Sequence, residues 1–201
     1  IYGGRATTAF ILGWATGGLI FGVIGDLWGR AKTMAVTILV YAAFTGLSAL
    51  SKNWIDFSVF RFLAGLGVGG EFAVGVALIA EVMPDRSRVS ALGSLQALSA
   101  TGNILAGVLI RYTDTLGGWR TLYLIGAAPA VLACFCIFFL REPQKWLDWR
   151  ATVKRQPPGS EPGRVRLLFG HPRWRRNAIV GLCLAIAGVF GLWGVAFWSS
   201  E

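Results

Sequence analysis

Five stretches of this chain are long enough to cross a membrane and carry no charged side chain: Ala6–Gly25, Thr33–Ser51, Val89–Ile110, Thr121–Leu140 and Asn177–Ser200. A spanning helix needs about 20 mostly apolar residues, because it must bridge about 30 Å of hydrocarbon while bonding all its backbone groups internally. A sixth stretch, Phe57–Ala80, has the length but holds Arg61 and Glu71. Composition agrees. Charged residues make up 14% of the chain, against about 25% in soluble domains. The expectation is an all-α polytopic membrane protein.

The net charge of +9 could suggest a polyanion partner, but its distribution argues for topology instead. If the loop around Asp26 is cytoplasmic, fourteen bases fall on the inner side: Arg30, Lys32, Arg86, Arg88 and ten between Arg141 and Arg176. Only Arg5, Lys52, Arg111 and Arg120 fall outside. Cytoplasmic loops carry such an excess of Lys and Arg, so no nucleic acid is needed to explain it. The chain begins without Met at Ile1 and ends at Glu201 just after an apolar run, which reads as a piece of something longer.

The stretch Gly22–Lys32 sets one acid, two bases and spaced glycines between two spans, as a tight charged turn. Before it, Gly13 and Gly17, and likewise Gly18 and Gly22, lie four apart. Small residues at that spacing let a neighbouring helix come close, either as fixed packing or as a sliding interface. The Phe57–Ala80 stretch places Arg61 and Glu71 inside the membrane, with Gly65, Gly67, Gly69 and Gly70 between them. A charge at the bilayer centre costs at least about 2.5–3.5 kcal/mol, so each should face the bundle interior. Ten residues apart, the two cannot pair along a regular helix, which rises 1.5 Å per residue. Each is a fixed buried polar group or part of a substrate or proton pathway. Gln96 and Asn103, seven apart, share a face of the next span, where amides can bond a hydrated ligand or another helix. Pro129 is expected to kink the span after that.

The segment Arg141–Arg176 is the one long hydrophilic stretch, rich in bases, Pro and Gly. It reads as a linker along an anionic leaflet with a short amphipathic helix near Lys145–Arg155. The last span carries Trp193. Cys134, Cys136 and Cys183 fall within spans and read as small hydrophobes. No phosphate-cradling lysine loop, metal-ligand set or nucleophile constellation is present, so neither an enzyme nor a cofactor or metal is expected.

These residues together resemble the major facilitator superfamily over the whole chain. Its loop signature, Gly-x-x-x-Asp-x-x-Gly-Arg with a further base, matches Gly22, Asp26, Gly29, Arg30 and Lys32. Arg61 with its glycine run looks like the family's fourth helix. Glu81-x-x-Pro84-x-x-x-Arg88 resembles the corner between helices four and five. Arg141-Glu142-Pro143 with Lys145-Trp146-Leu147 is similar to the sugar-porter motif after helix six. Gly70-Glu71 looks closer to metabolite/proton symporters. Gly102 is followed by Asn103, where drug/proton antiporters have Gly-Pro.

The resemblance implies twelve helices in two six-helix halves, with this chain holding helices two to seven. Residues 1–140 would belong to the N-terminal bundle, 141–176 to the cytoplasmic central loop and 177–201 to the first helix of the C-terminal bundle. It implies a proton-coupled symporter for a sugar or carboxylate, alternating access in a bacterial inner membrane and completed by a C-terminal half. The alternatives are an uncoupled uniporter or a drug/metabolite efflux carrier. The implied cytoplasmic gate comprises Gly22, Asp26, Gly29, Arg30, Lys32, Glu81, Arg88, Arg141 and Glu142. The pathway candidates are Arg61, Glu71, Gln96, Asn103 and Trp193.

Overall fold

The computed structural model describes residues 2–112, 117–128, 130–139, 142–154, 170 and 172–189. Among them, all regular structure is helical: α1 (Tyr2–Trp28), α2 (Arg30–Ser48), α3 (Trp54–Val82), α4 (Asp85–Arg111), α5 (Trp119–Ile125), α6 (Ala130–Phe139), α7 (Gln144–Lys154) and α8 (Pro172–Val189). The first four are long and apolar enough to cross a membrane. They overrun the charge-free stretches at most ends, because a helix continues past the hydrocarbon wherever its end groups can be capped. The predicted Thr121–Leu140 span is two helices, α5 and α6, with a turn at 126–128 between them; Pro129 lies outside the described residues. The predicted amphipathic helix is α7. The chain divides into two compact units, Ile1–Trp149 and Arg150–Glu201. The second contains α8, whose Cys183 is an exposed free thiol.

In the first unit α3 is the central helix, packed chiefly against α1 and then α2, while α2 also meets α5 and α6. Close approach explains the choice of glycine. A Cβ on Gly13 or Gly17 of α1 would run into the carbonyl oxygens of Phe62 and Leu66. A Cβ on Gly65 or Gly69 of α3 would meet those of Phe10 and Trp14. Each helix thus presents two glycines four apart to the other's backbone. In lipid, where apolar side chains gain nothing by leaving the tails, van der Waals contact at this range is what holds helices together. Gly67 points the other way, where a Cβ would lie 2.5 Å from Tyr41 N and 2.7 Å from Thr37 O of α2. The glycine run therefore thins α3 on two sides at once.

The second helix buries Ala31, Ala35, Ile38 and Ala42 along one stripe, the spacing of a single helical face. Asn53 caps α3, its Oδ1 accepting from Asp56 N at 2.8 Å. The fourth helix differs, with no buried residue along its whole length.

Candidate functional site

The α1–α2 corner is a single residue wide. Gly29 lies between the helices with φ 126°, a left-handed conformation that glycine adopts without strain. A Cβ there would also collide with the Glu142 carboxylate. Glycine is thus required twice over. One residue on, Arg30 is placed at the start of α2, facing the last turn of α1 and the end of α3.

Its guanidinium joins the three helices. Arg30 Nη2 lies 2.5 Å from Asp26 Oδ1, one turn back in α1, and 2.8 Å from Glu81 Oε1 in α3. Arg30 Nε also donates to Glu81 Oε1, at 3.1 Å. The Arg30 side chain is 11% exposed and its two partners are about a quarter exposed. Exposed ion pairs contribute about 0–1 kcal/mol, whereas removing one member of a buried pair costs about 3–5 kcal/mol. This cluster lies between those limits. The second oxygen of Glu81, Oε2, is buried with no hydrogen-bond partner among the described residues.

The segment after α6 supports this corner from outside. Glu142 accepts from Ala31 N (3.2 Å) and Lys32 N (3.3 Å) through its two oxygens. The first amides of a helix lack internal partners and carry partial positive charge, so a carboxylate there is favourable. Gly29, the N-cap residue, has no side chain to do this. Trp146, buried, donates its indole N–H to Asp26 O at 2.9 Å, a carbonyl in the last turn of α1. Two residues four apart thus each give hydrogen-bond partners to one of the helix ends flanking Gly29. Trp146 was missed as a site residue. The spacing Glu142-Pro143-x-x-Trp146 could have flagged it, but the partners lie more than a hundred residues away.

The gate residues otherwise distribute as follows. Gly22 lies near Ala73 on the α1–α3 contact. Lys32 is exposed and contributes its backbone N–H. Arg88 departs from the expected cluster: its Nη2 pairs with Asp85, 2.7 Å away in its own helix, and no described ion pair joins it to Glu81. The three-residue reach within α4 is shorter than the span across the Pro84 corner, so the local acid captures it. Arg141 lies outside the described residues.

The pathway candidates separate too. Arg61, on α3, stacks its guanidinium on Phe10 (4.3 Å to the ring centroid) and also lies over Tyr123 (5.6 Å). Glu71 is half-buried on the same helix. Gln96 and Asn103 are exposed on α4. Trp193 lies outside the described residues. Among the described residues there is no cluster of metal-ligating side chains.

A family model described as Major Facilitator Superfamily matches residues 3–200. A protein of Haemophilus influenzae named as a metabolite transport protein is 32% identical over 98% of this chain and 48% of its own. The cis,cis-muconate transport protein of Acinetobacter baylyi is 31% identical over 94% of this chain and 46% of its own. The chain spans about half the length of these curated relatives. Its fold is similar to that of the xylose transporter of E. coli in a partially occluded, inward-open conformation. That likeness has a TM-score of 0.65 and 20% identity, over 75% of this chain and 40% of the transporter.

Proposed function

Because this chain belongs to the major facilitator superfamily, we propose that it is part of a secondary carrier moving a small organic solute by alternating access. The observation that carries the reading is the Arg30 ion cluster, which ties α1, α2 and α3 at one end of the bundle. Such a cluster is a latch. It stabilises one arrangement of the helices, and a solute shifts the balance only through its preference between arrangements. The buried, unpartnered Oε2 of Glu81 leaves an acceptor at the same place for a donor from the rest of the carrier. The exposed face of α4, with Gln96 and Asn103, is where that remainder would pack.

The proposed solute is a carboxylate in preference to a sugar, cotransported with protons across a bacterial inner membrane. The muconate relative transports a dicarboxylate. Arg61, held between two rings inside the membrane, offers a cation to such a solute or to a proton-binding acid elsewhere in the carrier.

The latch is tested by Asp26→Asn in the full-length carrier, with solute binding and counterflow measured side by side. Counterflow is expected to change with binding intact; an equal loss of both overturns the latch. Arg61→Ala is expected to abolish uphill accumulation driven by a proton gradient. Accumulation that survives the substitution removes Arg61 from coupling, and accumulation indifferent to an uncoupler replaces symport by uniport.

A further inference from the structure

The end of the bundle opposite the Arg30 cluster is poor in bases, yet two of its four line one cleft and a third stacks on a lining tryptophan. The 51–53 turn between α2 and α3, Trp54 and Phe57 of α3, and Trp119 and Arg120 of α5 line an open cleft of about 400 Å³. Of the four bases expected on this side, Lys52 and Arg120 line the cleft, and Arg5 lies over the Trp54 ring at 5.7 Å. Arg120 spends one donor on Ser51 O (3.3 Å) and lies over Trp119, 5.1 Å from the ring centroid. Arginine has five donors, so most remain for a ligand. Lys52 is exposed and makes no ion pair among the described residues. Asp56, in the first turn of α3, is the acid nearest Lys52 in sequence. The bases outnumber it.

The floor is rigid. Phe57, Trp119 and Tyr123 pack edge to face on one another, with centroids 5.5 to 6.0 Å apart. Trp54 opens the membrane-long helix α3 and Trp119 opens α5, and tryptophan is enriched where a chain meets the membrane–water interface. Just beyond the cleft, Leu50 and Ile55 are 68% and 55% exposed.

We propose that this cleft binds the phosphodiester headgroup of an anionic glycerophospholipid. Lys52 and Arg120 hold the phosphate, the aromatic floor meets the glycerol backbone, and the acyl chains lie over Leu50 and Ile55. Shape decides between a lipid and a free solute. A soluble ligand is usually held by burying about 70–90% of its surface, which an open cleft does not do. A lipid is already concentrated in the interface and needs only a charged, amphipathic seat.

The test uses the full-length carrier in nanodiscs of phosphatidylcholine doped with phosphatidylglycerol, with lipid retention read by native mass spectrometry. The wild type is expected to retain phosphatidylglycerol in preference to phosphatidylcholine. Lys52→Gln should raise the half-saturating fraction about fivefold, and Lys52→Gln with Arg120→Gln about 25-fold, one such step for each cation removed. Arg120→Lys should restore part of the loss. If Arg120→Gln does not fold, Lys52→Gln carries the test, since Lys52 is exposed. Unchanged retention in these variants overturns the proposal. So does equal retention of phosphatidylcholine, or displacement of the lipid by millimolar benzoate or inorganic phosphate.

Discussion

Helices α3 and α4 follow one another in the chain and have similar lengths, and both are apolar enough to span a bilayer. Both carry several glycines. In α3, Gly65, Gly67, Gly69 and Gly70 are all buried, and a Cβ on any of them would strike a neighbour. In α4, Gly93, Gly102 and Gly107 have nothing within 4 Å of where a Cβ would lie, and no residue is buried. The same residue type thus has opposite meanings on adjacent helices. A glycine contributes to membrane packing only where a second backbone comes up against it.

The contrast predicts a graded set of effects, the largest at the α1–α3 crossing. Gly69→Leu puts a side chain where the Trp14 carbonyl lies, and overpacking at a backbone contact should cost about 3 kcal/mol or more. Loss of monodisperse protein on gel filtration is the expected readout. Gly102→Leu should leave the chain monodisperse. A comparable loss at Gly102 in this same chain would erase the contrast.

Next in size is Arg30→Met, which leaves Asp26 and Glu81 facing each other without their cation. Partial exposure reduces the buried-pair penalty to about 2 kcal/mol, measurable as a lower melting temperature in detergent. Arg30→Lys should recover part of it, since a point charge replaces a forked donor. A full recovery would mean that only charge matters at this corner.

Smaller again is the cap. Glu142→Gln weakens a charge-assisted bond to the first amides of α2, and Trp146→Phe removes the donor to Asp26 O. Each should cost about 1 kcal/mol, and thermal unfolding of the double variant shows whether they act as one support. Least of all, Gln96→Leu and Asn103→Leu on exposed α4 should stay within about 0.5 kcal/mol by the same measurement. A larger shift would mean that these amides already have partners.

How far the residues could be read in advance varied with the range of the interaction. The charged corner was visible because Gly29, Arg30 and Asp26 lie within one turn of each other. Glu81 was named through the resemblance of Glu81-x-x-Pro84-x-x-x-Arg88 to the family's corner. Arg88 was named with the same cluster through the resemblance; its described ion pair is with Asp85, three residues back in its own helix. Trp146 and the bidentate role of Glu142 depend on contacts more than a hundred residues apart. The meeting of Lys52 and Arg120 in one cleft, with Arg5 over its Trp54, was likewise out of reach.

By itself the sequence determined that this chain is helical with several stretches apolar enough to cross a membrane, four of which are single long helices, and that Gly29 closes a charged turn. Those outcomes depend on transfer free energies and backbone preferences, which act residue by residue along the chain. Only the tertiary structure decided which glycines touch a neighbour, which acid holds Arg30 from α3, and what caps the helix ends beside Gly29. Contacts between helices in lipid extend only a few ångströms, so they exist only once particular faces have met.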